Sequence, residues 1–358
     1  MSIFTRMAVT TALLSSVATA NAATFCVSTS AQLQEAIEAA ETNGQLDEIR
    51  VLPGLYVGVP QVSGEAVFDY LSDEVIRIHG VQGTSGNCSS TPTLASNVIL
   101  SGSGQHPVLS VRLTGGNLGS LVTDLRIVNG RDALNRAAGL SGRVLASASG
   151  ARFSAHRVIL EDHVATQAGG SSAFSLIAET GEVTLMNSVV RNNQSTQSQV
   201  GRIGGNTGTE AYLVNVTIVG NRTAIASAAA AIPIVNVAGN GTAYLTNNLF
   251  WDNLTSANLV PRDFALSSLA AVFMVHNHFT AFEGTAPINS NQSSGDPLFV
   301  SATNLRLKAN SPARNSGNSL GFGVATAVRE LDLGERVQGG QIDRGAYEFS
   351  ELFADGFE

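Results

Sequence analysis

The feature that most constrains this chain is a repeat of about thirty residues between roughly residues 107 and 282, because self-similarity at such a period builds a solenoid. Four segments carry it best: Leu121-Val-Thr-Asp-Leu-Arg-Ile-Val-Asn-Gly130, Thr184-Leu-Met-Asn-Ser-Val-Val-Arg-Asn-Asn193, Tyr212-Leu-Val-Asn-Val-Thr-Ile-Val-Gly-Asn221 and Tyr244-Leu-Thr-Asn-Asn-Leu-Phe-Trp-Asp-Asn253. Weaker copies run from Phe153 to Asp162 and from Phe273 to Phe282. With Asp124, His156, Asn187, Asn215, Asn247 and His276 taken as equivalent, the intervals are 32, 31, 28, 32 and 29 residues. Such drift suits coils joined by loops of unequal length.

Two apolar columns flank these anchors. Three residues after them stand Ile127, Ile159, Val190, Ile218, Phe250 and Phe279; two before them stand Val122, Ser154, Leu185, Leu213, Leu245 and Met274. A second apolar stretch precedes the anchor in several repeats, as in Pro107 to Val111, Ala173 to Ile177 and Ile234 to Val237. Several short strands per repeat, without a 3.6-residue period, predict an all-β solenoid whose coils stack about 4.8 Å apart. The 36 glycines and 6% aromatic content fit many short strands and tight turns.

Asparagine at a coil corner tolerates left-handed backbone, and its amide can bond the same residue one coil away. Asn193, Asn221 and Asn253 are expected to form one such ladder. Thr29 or Ser30 can start a capping helix over about residues 31–41, with Leu33, Ala36, Ile37 and Ala40 on one apolar face.

The opening residues read as an export signal over 1–22: Arg6, an apolar run from Met7 to Val17, then Ala20-Asn21-Ala22. Its removal would take the net charge from −8 to −9, since Arg6 is its one charge. That balance gives no nucleic-acid footprint, and no membrane-spanning segment is expected after cleavage. In an oxidising compartment the two cysteines, Cys26 and Cys88, are expected to pair.

The opening Phe25-Cys-Val-Ser-Thr-Ser-Ala-Gln-Leu-Gln-Glu-Ala-Ile37, the later Asp47-Glu-Ile-Arg-Val-Leu-Pro-Gly-Leu-Tyr56 and the Asn-centred coils resemble bacterial exported proteins with pectin-lyase-like right-handed parallel β-helices. Asp296-Pro-Leu-Phe299, Leu305-Arg-Leu-Lys-Ala-Asn-Ser-Pro-Ala313 and Ile342-Asp-Arg-Gly-Ala-Tyr-Glu348 resemble the ending of β-helix surface proteins that use various anchors. The resemblance implies a single-stranded β-helix with its N-terminal cap over 23–310 and a C-terminal cap and tail over 311–358. It implies export to the extracellular space or outer cell surface, with the periplasm as the other compartment. The last residues, Leu352 to Glu358, resemble a short tail on exported proteins of some gammaproteobacteria, so they read as a sorting tag or as a frayed acidic end.

The fold carries lyases, hydrolases and adhesins alike, so activity must be argued from a site. The acidic residues of the repeats, Asp124, Asp132, Glu161, Asp162, Glu179, Glu182, Glu210, Asp252, Asp263 and Glu283, contain no i, i+2 pair. Glu161 and Asp252 share a column in this alignment, but three coils apart, roughly 14 Å at the usual strand spacing. A glycosidase pair needs ~5 to 9.5 Å. Arg191 beside Trp251 is the candidate ligand contact, with Trp251 a candidate sugar platform. His276 and His278 share a strand face but lack a third metal ligand. The sequence therefore predicts no cofactor, and a non-catalytic solenoid that binds glycan or surface protein through its lateral faces, or serves structurally or in adhesion. A polysaccharide lyase or glycoside hydrolase with a loop-built site is the alternative, and only the lyase would bring calcium.

Overall fold

A computed structural model describes residues 22–62, 64–116, 119–131, 136–223, 232–255, 262–319, 329–338 and 340–350. It is a parallel β-solenoid of about seven turns, of the right-handed type, with one α-helix. The expected signal over 1–22 (save Ala22), Asp132 and the Leu352 to Glu358 tail lie outside the described residues.

The helix, Ser30–Thr42, starts where a cap can form: Thr29 is extended, and its hydroxyl accepts from the Gln32 amide at 3.2 Å. Leu33, Ala36, Ile37 and Ala40 are its buried face, seated on the first coil. Burying Leu33 and Ile37 stabilises this lid by about 1.5–3 kcal/mol each. Cys26, in the strand Ala23–Val27, is bonded to Cys88 in Asn87–Pro92, with 5.5 Å between their Cα atoms.

The main sheet is a parallel ladder: Ala23–Val27, Asp47–Val51, Ile76–Thr84, Gly119–Val128, Arg152–Glu161, Glu182–Met186, Glu210–Val214, Thr242–Thr246, Ala271–Val275 and Ile288–Ser290. A second parallel sheet runs through Phe68–Ser72, Leu109–Leu113, Leu140–Val144, Ser171–Ala178, Gln199–Gly205, Val235–Gly239, Phe264–Leu266 and Phe282–Glu283. Alternate residues of both sheets point inward, so Leu109, Val111, Leu140, Phe174, Leu176 and Ile203 join Val122, Leu185 and Leu213 in one continuous core.

The register corrects the repeat alignment at one coil. His156 pairs with Thr123, not Asp124, and Val158 pairs with Leu125. Arg157 therefore occupies the anchor, with φ 48°, in line with Asp124, Asn187, Asn215, Asn247 and His276 at φ 61°, 49°, 54°, 57° and 56°. The first two intervals become 33 and 30 residues. Ala155 and Leu160 fill the interior columns in place of Ser154 and Ile159; Ile159 faces outward onto Leu305 and Leu331. An arginine is held in this strained geometry because Asp124 grips it: Nε to Oδ1 is 2.7 Å and Nη2 to Oδ2 is 2.9 Å.

The described part of the C-terminal region lies along the flank of the solenoid. Asn187 Nδ2 donates to the Arg329 carbonyl, the Ala346 amide to Thr217 Oγ1, and the Gly345 amide to the Asn247 carbonyl. Its Ile342 to Glu348 segment is a buried charge knot: Arg336 pairs with Glu348 at 3.2 Å, and Arg344 donates to the Ser316, Asn277 and Asn291 carbonyls. Among the described residues, no helix is long and apolar enough to cross a membrane.

Candidate functional site

The asparagine column expected at the corner is present as a hydrogen-bonded stack. Asn193 Nδ2 donates to Asn221 Oδ1 at 2.9 Å, and Asn221 Nδ2 to Asn253 Oδ1 at 3.0 Å. The same amides also donate to the Leu160 and Val190 carbonyls, while their oxygens accept backbone amides from the preceding coil. All three residues are buried. The left-handed geometry belongs to the residue before each, Asn192, Gly220 and Asp252 at φ 57°, 66° and 50°. A separate stack, Asn187, Asn215 and Asn247, combines left-handed backbone with amide-to-amide bonds of 2.9 Å.

Glu161 shares its column with Val128, Arg191, Val219 and Trp251, not with Asp252. The one-residue shift at Arg157 removes the expected coincidence. Glu161 is buried and accepts from both Arg126 and Arg191, so the guanidinium of Arg191 is held by a carboxylate and by the Thr303 carbonyl. His276 Nδ1 meets the Ser316 carbonyl at 2.7 Å and its Nε2 meets Asn291; His278 meets Ser293 Oγ and the Gly295 carbonyl. Both rings are thus engaged on both nitrogens.

Arg191 and Trp251 do line one cavity, of about 420 Å³. It lies between the corner that carries Asn192, Gly220 and Asp252 and a C-terminal hairpin in which Phe299 pairs with Leu307. Trp251 is half-buried, packed with Phe299 against Leu249, Leu307 and Ala313.

A second groove, also about 420 Å³, lies on the outer face of the second sheet and was not anticipated from the sequence. Because strand residues alternate, Ser110 and Arg112, Ser141 and Arg143, and Ser175 and Ile177 occupy its outer face in successive coils at matched register. Arg202 follows Ser175 in the next coil, and Arg136 closes one side. Glycines face the core beneath: a Cβ on Gly142 would lie 2.2 Å from the Phe153 ring, and one on Gly201 2.2 Å from Phe174. Those two rings need the glycines in order to fill the interior under the arginines.

Carboxylates meet three of the four arginines. Arg112 Nη2 reaches Asp69 Oδ2 at 2.7 Å and Glu65 Oε2 at 3.4 Å; Arg136 Nη2 reaches Glu65 Oε1 at 2.9 Å. Arg143 pairs with Glu179. Arg202 has no ion pair among the described residues, and its buried Nε lacks a hydrogen-bond partner there. Burial lowers the pKa of Arg202, and repulsion by Arg143 lowers it further. Burial pushes Asp69 up to about 6, helped by its hydrogen bond with Glu65, while that same bond draws Glu65 down to about 2. The two carboxyls behave as a pair that shares one proton in mildly acidic solution.

Chemically, the groove offers donors and positive charge over a floor of serine hydroxyls. Its carboxylates, Glu65, Asp69 and Glu179, are each paired with arginine, so none is presented singly as a base. Among the described residues no group of three His, Cys, Asp or Glu side chains could hold a metal ion. No model of a known protein family matches the chain, and no curated protein matches it.

Proposed function

We propose that this protein is an exported β-solenoid that binds an acidic glycan, without transforming it, through the arginine groove of its second sheet. The observation that carries the reading is Arg202, a half-buried cation with no counter-charge among the described residues, facing Arg143 across serine hydroxyls. With Arg143 already paired to Glu179, Arg202 is the charge left over for an anion, and planar guanidinium forks suit carboxylate or sulfate oxygens. Glycan fits better than protein because the groove has only Ile177 as a large apolar lining residue, whereas protein interfaces have an apolar, aromatic centre. The disulfide and the leader-like start are compatible with export.

The alternative, a lyase or hydrolase, draws on one observation: the Glu65 and Asp69 carboxyls at the edge of the same groove. Both are engaged by Arg112 or Arg136, which leaves neither free to act as an acid or a base.

The test is binding of the purified protein to polygalacturonate and alginate, with neutral glucans as controls, followed at 50 and 300 mM salt. We expect saturable, salt-sensitive binding to the acidic polymers that falls at least about tenfold in Arg143→Ala/Arg202→Ala. No binding at low salt, or binding that the double variant retains, would overturn the reading. Unsaturated products absorbing at 235 nm, or new reducing ends, would replace it with the enzyme alternative.

A further inference from the structure

We propose that the cleft at Trp251 is a second binding site, for a neutral sugar, independent of the arginine groove. The aromatic ring is the first element. Trp251 is the chain's one tryptophan; it is propped by Phe299 and Leu307 and its remaining surface forms part of the cleft wall. Indole rings are suited to the C–H faces of sugars, since they give a broad apolar surface with a fixed orientation.

The rim is the second element. Asp252, Asp296 and Lys308 line the cleft, all three are exposed, and none has an ion pair among the described residues. Asp296 uses one oxygen, Oδ1, to accept from the Leu298 amide at 2.8 Å. Carboxylates and an ammonium around a flat apolar wall are what a polyhydroxylated ring needs: acceptors and a donor for hydroxyls, and a platform below.

Charge selects neutral over acidic sugar. Arg191 lines the cleft but is held by Glu161, which with Arg126 and Arg191 leaves one net positive charge there, and the exposed rim of two aspartates and one lysine carries one net negative charge. The cleft is close to neutral in sum, with its exposed carboxylates outward, so a polyuronate would meet repulsion where a neutral sugar meets acceptors. A volume of about 420 Å³ accommodates a short oligosaccharide segment.

The single tryptophan supplies the readout. The full-length mature protein is titrated with cellohexaose, mannohexaose and chitohexaose up to 10 mM, following Trp251 emission, with hexagalacturonate as the acidic comparison. At least one neutral hexasaccharide is expected to give a saturable emission change that hexagalacturonate does not give. Asp252→Asn/Asp296→Asn keeps the reporter and is expected to weaken that titration by about tenfold, through loss of charge-assisted hydrogen bonds. Circular dichroism confirms that the double variant is folded, and Lys308→Ala serves as a second probe of the rim should it not be. Silence with all three neutral sugars, or an unchanged titration in the folded rim variants, would overturn the proposal. The arginine-groove reading would stand through either result, because its test uses acidic polymers and different residues.

Discussion

The arginine groove and the Trp251 cleft enclose equal volumes, about 420 Å³ each, but the chain makes them by different means. The groove is cut into the face of one sheet, where strand register alone stacks Ser110 on Ser141 on Ser175 and Arg112 on Arg143. The cleft exists only because residues 296–308 fold back against corners formed some fifty to a hundred residues earlier. A site of the first kind is as rigid as the ladder beneath it; one of the second kind depends on the packing of a separate segment. The molecule therefore offers two lateral surfaces whose chemistry and whose stability can be perturbed separately.

The largest perturbation should fall on the groove end. Cys26 and Cys88 are 62 residues apart, and a crosslink closing a loop of that size stabilises a fold by about 4 kcal/mol on the chain-entropy view. In Cys26→Ser/Cys88→Ser the N-terminal coils, which supply Glu65, Asp69 and Arg112, should loosen first. Acidic-glycan binding is expected to disappear at a lower urea concentration than the Trp251 emission change. If the two losses coincide, the solenoid melts as one unit and the separation of the sites is only chemical.

A smaller effect should strike the other site. Asn221→Ala, one coil below the Trp251 corner, takes partners from the Asn193 amide, from Asn193 Nδ2 and from the Val190 carbonyl, all buried one coil further down. Stranding these groups should cost about 3 kcal/mol or more. The thermal midpoint is expected to fall and Trp251 emission to shift to the red, with acidic-glycan affinity at 20 °C unchanged. Arg152→Ala, which removes an ion pair whose arginine is 64% exposed, is the control and should change stability by less than about 0.5 kcal/mol.

Much of this architecture was legible because it is local. The apolar face of the capping helix, the cysteine pair and most interior columns follow from residue type and spacing, and the solenoid has them where expected. Register failed at one coil because a polar His156 looks like its Asn counterparts, whereas the anchor is Arg157, tolerated there through its long-range pairing with Asp124. That single residue misplaced Ser154, Ile159 and the Glu161 column. The groove escaped notice for two reasons. Glu65 and Asp69 precede the recognisable repeats, and the arginines share a site only once the second sheet is in register. A signal did exist: Leu109-Ser-Val-Arg-Leu113 and Leu140-Ser-Gly-Arg-Val144 carry serine and arginine at equal places, 31 residues apart. Of the two residues singled out beforehand, Trp251 and Arg191 do meet at one cleft, but Arg191 is tied to Glu161, which no short-range pattern announces.

The smallest expected effect is a difference in pH response between the sites. With Asp69 held near 6 by burial and by Glu65, lowering the pH from 7.5 to 5 puts a proton on the pair and adds one positive charge to the groove. A uronate, with an ordinary carboxyl pKa near ~3.5, stays ionised over that range. Protonated Asp69 and bound anion therefore favour each other, and acidic-glycan affinity should rise a few-fold toward pH 5, as one extra charge in a partly solvated groove permits. Asp69→Asn should hold the affinity near its low-pH level across the range. Neutral-sugar binding at the cleft should change far less, because the Glu65 and Asp69 pair lies at the groove and is not among the residues that line the cleft. If both sites instead tighten in parallel toward acid, the cause is global, through the net charge of the whole chain, and the proton shared by Glu65 and Asp69 is not what tunes the groove.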